Sequence, residues 1–503
     1  MRYWRFVLAV LALAALSVAA VVWTLQNGWT LYYGDAEAHL NIVRRIIDSR
    51  TPGYDQLGTV WLPLPHVLML PLVANDALWR TGLAGAIPSA VCFVMAGAFL
   101  LASTWRIFRS RFASAAALAV FALNPNLLYL QSTPMTEPVF FAALFALLYC
   151  TLWFAQSQRF TAVLCAAICA IAASLSRYEG WFLIPFAAVF ILFSAQRQRF
   201  LKAFAFAALA TLAPLYWLAH NWWYFGNFFE FFNGPYSAKA IYQRALDAGM
   251  ARYPGDHDWP TALLYFGSAA VLAIGWPACV AGAAGLAGMF RGRALWPLLL
   301  LALPPAFYVW SVHSSGLPIF IPTRWPHSWY NTRYGLALLP LLAFSAGALV
   351  TLPPRRWRAI NACIVVAACS APWLANRQPD NWICWKESQM NSVARRAWTE
   401  DAASFLAARY RPGAGIFTSF GDLTGIFREA GIPLRETWHD GNGPAWSAAL
   451  VRPGIFLHEE WAVAISGDAV ATTILRAART GPHYSLVRSI TQKGGPVIEI
   501  YRR

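Results

Sequence analysis

The sequence predicts a mainly α, polytopic membrane protein of about eleven transmembrane helices, followed by a small C-terminal α/β domain on the extracytoplasmic side. Three observations lead there. Of the 503 residues, 58% are hydrophobic and 12% are charged, against roughly 45–50% and 25% in ordinary soluble domains. Basic residues gather in one alternate set of short loops between the apolar runs. Beyond residue 376 the composition turns to that of a soluble domain. A disordered chain is excluded, because it needs low hydrophobicity and high charge. A water-soluble globular enzyme is excluded too, since so few charges cannot clothe a surface of that size.

In chain order, apolar runs long enough for a bilayer, about 17–25 residues, fall near 6–25, 86–105, 112–130, 138–155, 160–175 and 181–195. Further runs follow near 203–219, 261–290, 294–312, 334–352 and 359–375. The first is longer than the roughly 7–15-residue apolar stretch of a signal peptide, which favours an uncleaved anchor. The segment 62–79 carries Pro63, Pro65 and Pro71 with Asn75 and Asp76. Each proline removes a helical hydrogen bond that lipid cannot replace, so an interfacial or re-entrant segment is expected there.

Charge placement agrees. With an inside N-terminus, the cytoplasmic loops collect Arg2, Arg5, Arg106, Arg109, Arg111, Arg159, Arg197, Arg199, Lys202, Arg291, Arg293, Arg355, Arg356 and Arg358, with no acid among them. The opposite loops are nearly balanced in sign. Lys and Arg in short loops set orientation, so the N-terminus is expected in the cytoplasm of a cell membrane. The formal charge of +16 is then mainly a topology signal, and no nucleic-acid partner is expected.

Residues 1–375 thus read as the membrane domain and 376–503 as the soluble one. In the latter, a helix near 391–410 precedes a strand at 415–420, a helix near 422–430, a strand near 454–458 and a helix near 467–479. Strands near 484–490 and 496–501 close it, an α/β alternation. Of the eight cysteines, all but Cys384 lie in apolar runs, and no CxxC spacing marks a zinc site or disulfide framework.

None of the runs carries a charge near its centre, where transporters usually place ionisable groups. Polar residues collect instead in the outer loops. The first holds Gly34-Asp35-Ala36-Glu37-Ala38-His39, opening an amphipathic helix. Asp35 caps that helix, or supplies a general base or a metal ligand together with Glu37. Thr136-Glu137-Pro138 precedes the fourth run, and Arg177-Tyr178-Glu179-Gly180 the sixth. The loop 221–260 adds aromatics suited to a membrane interface, with Tyr236 and Lys239. The loop 313–333 adds Arg324, His327 and Arg333-Tyr334. Arg333 beside exposed helix amides suits an anionic headgroup, or snorkels to lipid phosphate.

In these motifs, their order and their sidedness, the chain resembles membrane glycosyltransferases of the GT-C superfamily. The branch is the bacterial family 39-like one, related to protein O-mannosyltransferases and lipid A aminoarabinose transferases. The resemblance covers residues 1–375. It departs from the O-mannosyltransferases in one place, because Ala36 separates Asp35 from Glu37 where they have adjacent acids.

The resemblance implies a hexosyl- or pentosyltransferase that moves a sugar from a polyprenyl-phosphate donor to an acceptor hydroxyl on a protein, lipid or glycan. Asp35 matches the family's catalytic acid, with Glu37 beside it. Arg333, Lys239, Arg324 and His327 are the expected donor-phosphate cations. His39, Glu137, Arg177, Glu179, Tyr236 and Tyr334 are expected to line the pocket. The sequence calls for no cofactor but leaves room for a divalent cation, with Asp35, Glu37 and Glu137 its candidate ligands. The competing reading is a lipid-linked saccharide flippase without transfer chemistry.

Overall fold

The computed structural model describes residues 3–291, 294–314 and 316–503. Arg2 and Arg293 of the set expected in the cytoplasm lie outside the described residues. The chain divides into two compact units. One comprises Met1–Gly28, Thr59–Pro65 and Ala86–Glu387, the other Trp29–Gly58, His66–Gly85 and Ser388–Arg503.

The first unit is helical. Among the described residues, seven helices are long and apolar enough to cross a membrane: Tyr3–Gln26, Leu83–Phe108, Glu137–Ser157, Arg199–Phe225, Leu295–His313, Thr332–Leu349 and Arg355–Ala375. The shorter apolar helices Arg111–Ala122, Phe160–Ser174 and Glu179–Ser194 account for the remaining expected runs but one. That one, 261–290, is not a single rod: Trp259–Ile274 and Trp276–Arg291 meet at 109°. Gly275 breaks it with φ at +90°, donating its N–H to the Val271 carbonyl. Pro277, which has no N–H to give, then stands in the first turn of the next helix. The run 112–130 also breaks, at Asn124, whose side chain accepts from the Leu127 N–H and caps Pro125–Leu130.

Close helix packing relies on small residues. A Cβ at Gly282, Gly285 or Gly288 would lie within 2.6 Å of Leu342, Ser345 or Ala348 atoms on the helix Leu339–Leu349. Lipid supplies no hydrophobic drive between helices, so this backbone approach is where their dispersion attraction comes from.

The second unit is built on a five-stranded mixed sheet: β1 (Ile416–Thr418), β2 (Thr437–Trp438), β3 (Trp461–Ile465), β4 (Ser485–Ile490) and β5 (Ile498–Arg502). The strand order is β2-β1-β3-β5-β4. β1 is parallel to both neighbours, whereas β5 runs antiparallel to β3 and β4. The strand expected near 454–458 is not one. Pro453 starts a short helix, Pro453–Phe456, and the strand begins only at Trp461. The helix Ile383–Ala407 lays Trp398, Ala402 and Leu406 against this sheet's core.

The same core takes Leu40 and Val43 from the helix Gly34–Ile47, Met69 and Val73 from Pro63–Val73, and Trp79 from Asp76–Thr81. Pro63–Val73 has 11 residues, about 16 Å at 1.5 Å per residue and far short of a bilayer core of roughly 30 Å. The change of composition near 375 and the packing boundary therefore differ, because two stretches of the early chain pack with residues 388–503.

Candidate active site

Five charged side chains form a network in the helical unit, four of them buried and Arg177 partly so. Glu137 and Glu179 each stand in the first turn of a helix, Glu137–Ser157 and Glu179–Ser194, where the dipole favours a carboxylate. Arg177, two residues before Glu179, bridges both: its Nε is 2.6 Å from Glu179 Oε1 and its Nη1 is 3.2 Å from Glu137 Oε1. It also donates to the Thr136 hydroxyl at 2.6 Å and to the Tyr308 hydroxyl. Tyr308 in turn donates to Glu179 Oε1 at 2.9 Å. Arg333 joins from the 3-10 turn Thr332–Leu338, its Nε 3.2 Å from Glu137 Oε1 and its Nη1 3.3 Å from Glu387 Oε1. Tyr334 stacks on Tyr308 at 4.6 Å between ring centroids, and both guanidiniums lie over its ring.

Glu387, like Tyr308, is a residue of this network that sequence reasoning missed. Its carboxylate accepts the Asn331 N–H at 3.0 Å, the Thr332 N–H at 2.7 Å and the Thr332 hydroxyl. These are the exposed amides at which an anion was expected beside Arg333. The chain's own carboxylate takes those amides, and Arg333 pairs with both Glu137 and Glu387. Burial pushes the Glu387 carboxyl above the usual carboxylate range, against the opposing pull of Arg333 and of the Thr332 and Asn331 donors. Glu137 keeps one acceptor in reserve, since its Oε2 is buried and makes no hydrogen bond among the described residues.

In the second unit, the helix Gly34–Ile47 carries the other acids. Asp35 is partly exposed in its first turn, while Glu37 is buried. Glu37 Oε1 is 3.0 Å from Arg428 Nη2, and Oε2 is 3.6 Å from Arg395 Nε. His39 Nδ1 lies 3.0 Å from Nε2 of His66.

The architecture has solved counterparts. ArnT from Cupriavidus metallidurans bound to undecaprenyl phosphate matches with a TM-score of 0.54 and 14% identity, over 96% of this chain and 97% of that one. Its apo state matches with a TM-score of 0.55 and 13% identity over the same shares. The Archaeoglobus fulgidus oligosaccharyltransferase in its apo form matches with a TM-score of 0.51 and 12% identity, over 92% of this chain and 70% of that one. The chain has the GT-C fold. No family model matches the sequence, and no curated protein does.

Within this GT-C fold the expected residues fall in both units. Glu137, Arg177, Glu179, Arg333 and Tyr334 come together in the helical unit. Asp35, Glu37 and His39 share one helix of the other unit. Arg324 and His327 lie on the loop before Arg333, where Arg324 Nε donates to the Ser268 hydroxyl at 3.3 Å and His327 Nδ1 is 3.0 Å from the Pro322 carbonyl. Tyr236 and Lys239 are exposed, with the Lys239 ammonium 5.0 Å over the Phe232 ring. The aromatics Trp222, Trp223, Tyr224 and Phe225 end the helix Arg199–Phe225 and are all exposed. Among the described residues, no three His, Cys, Asp or Glu side chains are grouped to hold a metal ion. Of the expected ligands, Glu37 and Glu137 each face two guanidiniums instead. Tyr308 and Glu387 were invisible as site residues because each sits inside an apolar or amphipathic helix with no loop motif around it.

Proposed function

We propose that this protein is a membrane glycosyltransferase. It transfers a sugar from a polyprenyl-phosphate donor to an acceptor hydroxyl at the extracytoplasmic face of a cell membrane, with its N-terminus in the cytoplasm. The observation that carries the reading is the likeness over nearly the whole of both chains to a fold solved with undecaprenyl phosphate bound. The charge-free middles of the apolar runs support an enzyme over a carrier.

Asp35 is the base in this reading, and its partial exposure at the start of a helix supports that role. The acceptor oxygen attacks the anomeric carbon, Asp35 takes the hydroxyl proton, and the bond from that carbon to the phosphate oxygen breaks. Displacement from the opposite face inverts the sugar. The departing phosphate monoester has a second pKa of about 6, so it leaves without a strong acid. Arg333, Lys239, Arg324 and His327 are the cations for its charge in this reading. Glu37 is held by two arginines, which favours Asp35 as the group that moves the proton.

The test is turnover of synthetic polyprenyl-phosphate sugars by the purified protein in nanodiscs, with products identified by mass spectrometry. Asp35→Asn should lower turnover by at least about 10²-fold while preserving yield and melting temperature. A near-native rate in that variant would sink Asp35 as the base. In sealed vesicles, sugar crossing the bilayer with no new glycosidic bond would favour the flippase.

A further inference from the structure

Glu37 is the hub of a second, separate arrangement. Two guanidiniums from the C-terminal part of the chain close on its buried carboxylate, Arg428 at 3.0 Å and Arg395 at 3.6 Å. Arg395 does more. Its Nη2 donates to the carbonyls of Leu31 at 3.1 Å and Tyr32 at 2.8 Å, just ahead of the helix Gly34–Ile47. Arg428 also donates from Nη1 to the Arg80 carbonyl at 2.6 Å. Two glycines make room for these groups. A Cβ at Gly34 would stand 2.9 Å from Arg395 Nη1, and one at Gly425 would stand 2.4 Å from Glu37 Oε1. Charge, hydrogen bonds and cleared space converge on one turn of backbone, and Asp35 is in that turn.

We infer that Arg395 and Arg428 are positioning residues that clamp Glu37, and through it hold the first turn of the helix Gly34–Ile47 with Asp35 in a fixed orientation. Residues 388–503 are on this view a working part of the transferase. The inference rests on the reading of Asp35 as the base. A buried carboxylate held on Oε1 by one guanidinium and on Oε2 by another has a narrow choice of orientations. General-base catalysis needs the carboxylate within hydrogen-bond reach of the acceptor proton, and about 1 Å of displacement can cost on the order of 10²-fold in rate.

The experiment uses the full chain in nanodiscs with Glu37→Gln, Arg428→Gln, the double variant and Arg428→Lys. It reads kcat, donor KM and hydrogen exchange along the chain. Each single variant should lower kcat by about 10–100-fold with donor KM within about twofold. The double variant should be no worse than the weaker single, and Arg428→Lys should recover part of the loss. Exchange at residues 31–40 should quicken by at least about tenfold, while β1, β3 and β5 keep their protection. Unchanged kcat and exchange in Glu37→Gln would overturn the clamp, as would faster exchange spread evenly over the whole unit. The two failures stay distinct. An active Asp35→Asn removes the base but leaves the local exchange result to judge the clamp, whereas an inactive Asp35→Asn beside silent clamp variants keeps the base and removes the clamp.

Discussion

Arg177 illustrates how much one side chain can organise. It satisfies Glu137, Glu179, Thr136 and Tyr308 at once. Its removal leaves the buried Glu179 without its guanidinium and Glu137 with Arg333 alone, a loss of the kind that typically costs about 3–5 kcal/mol. Arg177→Met should therefore lower the melting temperature in detergent markedly. Tyr308→Phe, which removes a single hydroxyl from the same network, should cost on the order of 1 kcal/mol. Equal melting temperatures for the two variants would show that the network is not built around the guanidinium. The loop members of this cluster were legible because a helix start attracts acids and a short loop confines its charges. Glu387 and Tyr308 were not, because their partners lie 54 and 129 residues away, and no local pattern encodes such a pairing.

At the scale of elements, the tight seam between Trp276–Arg291 and Leu339–Leu349 makes its own prediction. Gly285 faces the Ser345 carbonyl so closely that any side chain there must move a backbone. Gly285→Leu should destabilise the protein by about 1–3 kcal/mol or more, read as a lower melting temperature, whereas Gly267→Ala, with open space around its Cβ position, should be close to neutral. Beyond β2, His439 closes a capping turn: its Nδ1 accepts the Gly441 N–H and its own N–H is taken by Asn442.

Burial, with Arg45 adding repulsion, pulls the His439 imidazole down to about 3. The native turn thus holds it neutral, while the unfolded chain protonates it near 6.5. The stability it contributes is full above about pH 6.5 and declines as pH falls from there toward 3. Replacing it with His439→Gln should flatten the loss of melting temperature across that window. An unchanged slope would mean that other groups set the acid sensitivity.

At the scale of the molecule, the decisive fact is that one compact unit gathers three stretches distant in sequence. Leu40, Val43, Met69, Val73 and Trp79 bury themselves against Trp398, Leu406, Ile426 and Trp461. Ending the chain at residue 387 would strip those five side chains of their cover. At roughly 1.5–3 kcal/mol each, the penalty is on the order of 10 kcal/mol, so the truncated protein should aggregate on extraction. A truncated chain that stayed monodisperse would show that the early segments find cover without residues 388–503. Sidedness has its own check: an alkaline phosphatase fused after Arg503 should be active only if that end is extracytoplasmic, and a silent fusion would reverse the proposed orientation.

By itself the sequence determined the membrane class, the expected sidedness, the place of every apolar run and the loop acids and cations worth testing. Those features depend on local composition and on the lipid solvent, which acts on each segment separately. The 109° break at Gly275 was only half visible, since a glycine before Trp-Pro permits a bend without requiring one. Tertiary structure alone decided which charges meet. It brought Glu387 to the amides beside Arg333, turned Glu37 into the seat of two arginines, and drew the segment 29–58 into the core of the C-terminal sheet. Buried charges need counter-ions and apolar faces need cover, and the chain met both needs with residues that only folding brings together.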